Sequence, residues 1–185
     1  MIICVSGQMA AGKNYVCSLF EKQGFVALDM DKTAHEAIEF CKDEIISAFG
    51  EEAKKNGLLL LNPDGSLNRR VIGKIVFSDK NLLSLQESIV YPKVIELTNV
   101  FLEKNQEKSV ILNATVLFKI PEILKKCEKI VFVRANFFKR LFRAKKRDKM
   151  PLRQIFARFK NQKNLLSEYK KKAAKFNIPI EFFNN

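Results

Sequence analysis

The chain has 185 residues, 47% of them apolar, and a formal net charge of +13. That length suits one globular domain with a sizeable core, and the apolar content excludes a disordered chain. No apolar run approaches the ~20 residues that span a bilayer, and the opening MIICVSG is too short and too lightly charged for a secretory signal, so a cytoplasmic protein without membrane attachment is expected.

The charge is unevenly spread. Residues 1–118 hold 13 basic and 15 acidic side chains, whereas residues 119–185 hold 20 and 5. A basic block of this kind calls for an anionic partner: a nucleic acid, a membrane surface or a phosphorylated small molecule. Four cysteines (Cys4, Cys17, Cys41, Cys127) form no C-x-x-C pair, and there is one histidine. A zinc site is therefore not expected, and the cysteines read as buried, reduced thiols.

In chain order, residues 2–6 (IICVS) form an apolar, branched run of the kind found in a buried strand. The loop GQMAAGK follows, and residues 13–22 then place Val16, Leu19 and Phe20 on one helical face, with Gly24 as a stop. Residues 25–29 (FVALD) predict a second strand running into the acidic cluster DMD. Strand, glycine loop, helix, strand is the opening of a parallel α/β sheet. A helix is predicted over 33–49, a turn over 62–66 (NPDGS), and helices over 68–77, 79–90 and 93–104, with Pro92 as a break between the last two. Strands are expected within 109–118, at 129–135 and at 178–183. Basic helices are expected over 137–147 and 152–175. The sum is a three-layer α/β sandwich on a five-stranded parallel sheet, with a long helical excursion that has the character of a substrate-binding insertion.

The spacing glycine, four residues, glycine, lysine at Gly7, Gly12 and Lys13 carries the first chemistry. In such a loop, backbone N–H groups cradle phosphate oxygens, the following helix N-terminus favours their charge, and the lysine reaches the β- and γ-phosphates. The flanking strand and helix are the context that this reading requires. The hydroxyl residue that ordinarily closes the motif and binds Mg²⁺ is replaced by Asn14. Its amide oxygen is also a hard ligand, and asparagine is equally a good helix cap, so both readings stay open. Asp29 and Asp31 close the second strand, where open α/β sheets bind ligands, and strand alternation puts them on one side. One of them is read as acting on the substrate hydroxyl or on Mg²⁺ through water, the other as capping the next helix. His35 is given no catalytic role. Arg140, Arg143, Arg147, Arg153 and Arg158 are candidates for the lid arginines that stabilise charge in phosphoryl transfer.

With these residues in view, the sequence resembles the dephospho-coenzyme A kinase family, which phosphorylates the ribose 3′-hydroxyl of dephospho-coenzyme A. The resemblance runs through GQMAAGK, ALDMDKTAH (27–35), DGSLNRR (64–70), IGKIVFSD (72–79), Tyr91-Pro92, TVLFK (115–119), the lid pattern Arg147-Asp148…Arg158…Gln162, and the closing FFNN. DGSLNRR is the most specific element. The resemblance implies a P-loop NTPase, nucleotide-kinase-like core over residues 1–32, 106–136 and 166–185, a helical substrate-binding region over 33–105 and a basic lid over 137–165. It implies ATP and Mg²⁺ as cofactors. Gly7, Ala10, Ala11, Gly12, Lys13, Asn14 and Tyr15 would bind the nucleotide, with Asn14 the metal position. Asp31 would be the base, with Lys13 and Arg147 on phosphates. Asp29, His35, Arg69 and Arg158 would contact dephospho-coenzyme A. Nucleic acid and membrane are not expected partners. The chain departs from the family at Asn14, at Asn113 for aspartate, at Lys119 for glutamate and at Tyr91 for histidine, and its end at Asn185 points to a trimmed adenine pocket. Competing readings are another nucleoside or nucleotide kinase, a basic nucleic-acid-binding protein, and a nucleotide-binding relative with impaired catalysis.

Overall fold

A computed structural model describes every residue except Lys149. The chain forms two compact units, one made of residues 1–31 and 101–185, the other of residues 32–100.

The first unit is built on five parallel strands: β1 (Ile2–Gly7), β2 (Val26–Asp29), β3 (Val110–Asn113), β4 (Lys129–Arg134) and β5 (Ile180–Asn184). Their order across the sheet is β2-β3-β1-β4-β5. β1 is central, pairing with β3 on one side (Val5 opposite Asn113) and with β4 on the other (Gly7 opposite Val133). After β1 the chain goes to the edge strand β2, returns to β3 beside β1, and then crosses to β4 and β5 on the other side, so a ligand-binding crevice is expected at the carboxyl end of β1. Strands buried on both faces explain the unbroken apolar runs that encode β1, β3 and β4. Ile3, Val5, Ile111, Val131 and Val133 pack with Val16 and Cys17 of helix α1 (Lys13–Glu21). The alternate positions Cys4 and Phe132 meet Tyr169 of α9 (Leu165–Phe176), whose ring sits edge-on to Phe132 at 6.0 Å. Period-two alternation therefore feeds two cores, one on each face, as the three-layer α/β class requires.

The second unit holds most of α2 (Met30–Phe40), then α3 (Lys42–Lys55), α4 (Arg69–Val76) and most of α5 (Lys80–Lys104). Asn62 and Gly65 close the expected turn, with Gly65 at φ 80°. Asn68 caps α4 through its side-chain oxygen, which accepts from the Val71 amide at 3.2 Å.

Three helix boundaries differ from expectation. The segment 33–49 is two helices, parted at Cys41, where φ −91° and ψ 27° interrupt the helical path. Pro92 does not divide its segment: α5 runs 25 residues with the proline inside. Proline removes one amide donor and strains one turn, a local cost that continued helix on both sides offsets. The basic segment 152–175 is divided into α8 (Leu152–Asn161) and α9 by a three-residue connection. A short 3₁₀ turn at Leu117–Lys119 and helix α6 (Pro121–Leu124) follow β3, and α7 (Phe137–Asp148) follows β4. All four cysteines are free and buried. Among the described residues no helix is long and apolar enough to cross a membrane.

Candidate active site

The glycine loop lies at the carboxyl end of β1. A side chain on Gly7 would place its Cβ 2.6 Å from the Val133 carbonyl oxygen, so β4 can pair this closely only with glycine there. Beyond it the chain turns sharply. The Ala11 amide donates to the Gln8 carbonyl at 3.0 Å, and both Ala10 (φ 60°) and Gly12 (φ 102°) adopt positive φ. Successive right- and left-handed residues of this kind make an anion-binding concavity, to which the α1 N-terminus adds its partial positive charge. The cavity is about 730 Å³, lined by Gln8, Ala10, Ala11, Gly12, Lys13 and Asn14 from the loop and by Phe142, Arg143, Lys146 and Arg147 from α7.

Lys13 is the cation at its floor. Its ammonium donates to the Thr115 hydroxyl at 2.8 Å. Burial pushes its pKa below the usual lysine value. The Asp31 carboxylate opposes that shift, the Arg147 guanidinium adds to it, and Asp29 also opposes it. Asp29 and Asp31 are thus brought within electrostatic reach of Lys13. They are not both strand residues, however. β2 ends at Asp29 and α2 begins at Met30, so Asp31 stands in the first helical turn. Its amide donates to Asp29 Oδ1 at 3.1 Å, so Asp29 serves the helix start and Asp31 is held by it.

Asn14 is exposed in the first turn of α1. Its Oδ1 accepts a hydrogen bond from Asn113 Nδ2 at 3.0 Å, at the end of β3. Asn113 is buried, and its own Oδ1 has no hydrogen-bond partner.

Two helices of the predicted lid grip the loop. Arg140 of α7 donates from Nε to the Met9 carbonyl at 3.0 Å and from Nη1 to Gln8 Oε1 at 2.7 Å. Its guanidinium lies 4.2 Å over the Phe159 ring of α8. Gln162 accepts from the Met9 amide at 2.5 Å, and its carbonyl accepts from Gln8 Nε2 at 3.1 Å. Arg143 and Asn185 both donate to the Ala11 carbonyl, at 3.4 and 3.0 Å, and the Asn185 amide donates to the Arg134 carbonyl at 2.8 Å. Arg147 is braced by Asp148, which accepts from its Nε at 2.7 Å and from its Nη2 at 3.0 Å.

Of the residues singled out in the sequence, Ala10, Ala11, Gly12, Lys13, Asn14, Arg143 and Arg147 come together around the cavity. Gly7 lies behind it in β1, and Tyr15 is exposed on α1 outside its lining. Arg158 is exposed on α8, where its charge helps hold the Asp148 carboxyl below its usual range, after the larger effect of Arg147. His35 on α2 and Arg69 at the start of α4 are exposed residues of the second unit. Residue-by-residue reading did not single out Gln8, Thr115, Phe142, Lys146 or Asn185. Thr115 and Asn185 act through contacts distant in sequence, Phe142 and Lys146 line the cavity from α7, and only Gln8, inside the loop motif, carried a local signal.

The family model for dephospho-CoA kinase matches residues 1–180. The chain belongs to the dephospho-CoA kinase family. It is 35% identical over 174 residues to the dephospho-CoA kinase of Treponema denticola, a match covering 91% of this chain and 77% of that one. It is 32% identical to the dephospho-CoA kinase of Treponema pallidum, over 90% and 80% of the two chains. A crystal structure from Thermus thermophilus shares the fold with a TM-score of 0.80 at 24% identity, over all of this chain and 89% of that one. The dephospho-CoA kinase from Campylobacter jejuni superposes with a TM-score of 0.64 at 21% identity, over all of this chain and 88% of that one.

Proposed function

We propose that this dephospho-CoA kinase family member transfers the γ-phosphoryl group of ATP to the ribose 3′-hydroxyl of dephospho-coenzyme A, with Asp31 as the proton acceptor. The observation that carries the assignment is the half-buried Lys13 ammonium on the cavity floor, set at a helix N-terminus and under the charge of Asp31.

Each residue has a task in this reading. The loop backbone and Lys13 hold the β- and γ-phosphates, and closing the cavity over them strengthens every charge interaction inside. Arg143 and Arg147 face the same cavity from α7, where negative charge on the transferred group would be met. Asp148 fixes the Arg147 guanidinium by two hydrogen bonds, so little conformational freedom is lost when a phosphate binds. Asp31 takes the proton of the acceptor hydroxyl as the bond to phosphorus forms. Asp29 anchors the backbone that presents it. The exposed His35, Arg69 and Arg158 are assigned to the acceptor, residues 33–105 to its binding region and residues 137–165 to the lid.

ATP used in such a transfer carries Mg²⁺. The residues present fit that ion: Asn14 offers a neutral, hard oxygen at the cavity, and Asn113 Oδ1 is a buried acceptor still lacking a donor. When bound, the metal neutralises phosphate charge.

The test is ADP release from ATP and Mg²⁺ with and without dephospho-coenzyme A, using adenosine and AMP as control acceptors. Release dependent on dephospho-coenzyme A is expected. Equal release with a control acceptor would assign the chain to another small-molecule kinase class.

A further inference from the structure

A lysine reaches its ligand on a long, flexible stem, so the placement of the Lys13 ammonium needs a cause. Thr115 supplies one. Its hydroxyl accepts from the Lys13 ammonium at 2.8 Å, and an ammonium has three donors, so this contact leaves two for phosphate oxygens. Thr115 follows β3 and precedes the 3₁₀ turn, outside the sheet ladder, yet its backbone is fixed. Its carbonyl accepts from the Ser6 hydroxyl at 3.2 Å and from the Tyr169 phenol at 3.3 Å, and both donors are fully buried. One residue earlier, the Ala114 amide donates to the Val5 carbonyl at 3.1 Å; two residues later, the Leu117 amide donates to the same phenol at 3.0 Å. Ser6 and Val5 belong to β1, the strand that ends in the glycine loop, so the loop and the anchor of its lysine share one strand. The branched Cβ of threonine further restricts where the hydroxyl can point. The Asp29 and Asp31 carboxylates act on the same ammonium from the end of β2 and the start of α2. A hydroxyl, unlike either of them, holds the lysine without neutralising it.

We propose, resting on the kinase reading above, that Thr115 is a positioning residue for phosphoryl transfer: its hydroxyl holds the Lys13 ammonium at the cavity floor before nucleotide arrives, and keeps hold while the remaining N–H groups take β- and γ-phosphate oxygens. The ordering of a long side chain is thereby completed on folding rather than on binding, which leaves more of the phosphate contact to appear as affinity. Thr115 itself touches no phosphate. Ser6 and Tyr169 serve the same end one step further back, by fixing the carbonyl of the residue that fixes the lysine.

Titration with a non-hydrolysable ATP analogue tests this, with urea unfolding of each variant to confirm that it is folded. Thr115→Val keeps the shape and removes the hydroxyl; it should weaken analogue binding by roughly three- to tenfold, the scale for leaving one long side chain to be immobilised on binding. Thr115→Ser, which restores the hydroxyl, should recover most of that loss. In a Lys13→Met background, where binding is already weakened, Thr115→Val should cost nothing further, because Thr115 acts only through the ammonium. Unchanged affinity in Thr115→Val would overturn the proposal. So would an equal loss with and without the Lys13 ammonium, which would place the effect in the loop as a whole, or a Thr115→Ser variant as weak as Thr115→Val. These titrations read nucleotide binding alone. A wild-type protein that bound the analogue but phosphorylated no dephospho-coenzyme A would remove the kinase reading and leave the hold on Lys13 in place; one that bound no analogue would remove both.

Discussion

Arg140 is a buried cation whose hydrogen bonds end on a backbone carbonyl and a side-chain amide oxygen, and its replacement decides between two opposing effects. It makes two charge-assisted hydrogen bonds to the loop, at 3.0 and 2.7 Å. At about 1.5–3 kcal/mol each, they favour arginine by ~3–6 kcal/mol. Against this stands Nη2, buried with no partner, a cost of about 1–3 kcal/mol that an apolar side chain would remove. Burial also holds the guanidinium pKa below its usual value, the sign expected of a desolvated cation. The hydrogen bonds win, and Arg140→Met should destabilise the fold by roughly 2–3 kcal/mol, with contact to Phe159 adding at most ~2 kcal/mol. Because both bonds end on Gln8 and Met9, affinity for an ATP analogue should fall about tenfold or more even where the protein stays folded. Urea unfolding reads the first effect and analogue titration the second. Arg140→Lys, which keeps the charge but not the fork, should fall between. If Arg140→Met matched wild type in both measurements, burial cost and bond strength would cancel, and the grip on the loop would be energetically empty.

Asp31→Asn should reduce kcat by about 10²–10⁴-fold while leaving ATP binding intact, the range for loss of a general base; near-normal turnover would remove Asp31 from that role. Lys13 has a folded pKa below the ordinary 10.5, so it sheds its charge earlier than a free lysine as pH rises. Between the two values the unfolded chain binds more protons, so the contribution of this group to stability rises with pH, whereas phosphate affinity falls. Calorimetry of ATP binding in two alkaline buffers of different ionisation enthalpy should reveal proton uptake; its absence would mean that Lys13 stays fully charged. Tyr169→Phe should cost about 1–3 kcal/mol in denaturant unfolding, because the Leu117 amide, 3.0 Å from the phenol oxygen, loses its acceptor inside the core.

The inner strands β1, β3 and β4 were legible because they are buried on both faces and therefore encoded as apolar runs, whereas the less buried β2 and β5 rested on shorter apolar stretches; β1, β2, β4 and β5 begin and end within two residues of their expected spans, and β3 occupies only the first part of its span. The loop was legible because its chemistry is local: one glycine for close strand approach, one for positive φ, then a lysine. Helix ends were less so. Cys41 carries no breaking signal, and Pro92, which does carry one, sits inside a continuous helix. Strand alternation was the wrong ground for placing Asp29 and Asp31 together, since β2 ends at Asp29 and Asp31 lies in the first helical turn. The grip of Arg140, Gln162 and Asn185 on the loop spans more than 130 residues of sequence and has no local pattern to announce it.

Asn185 has one further consequence. Its side chain crowds Gly12 so closely that a Cβ there would collide with the amide, while its backbone continues the hydrogen bonding of β4 just past β5. The edge of the sheet and the phosphate loop thus share a single residue. Filling the loop should slow hydrogen–deuterium exchange at the end of β5, making a strand with no chemistry of its own an intrinsic gauge of nucleotide occupancy.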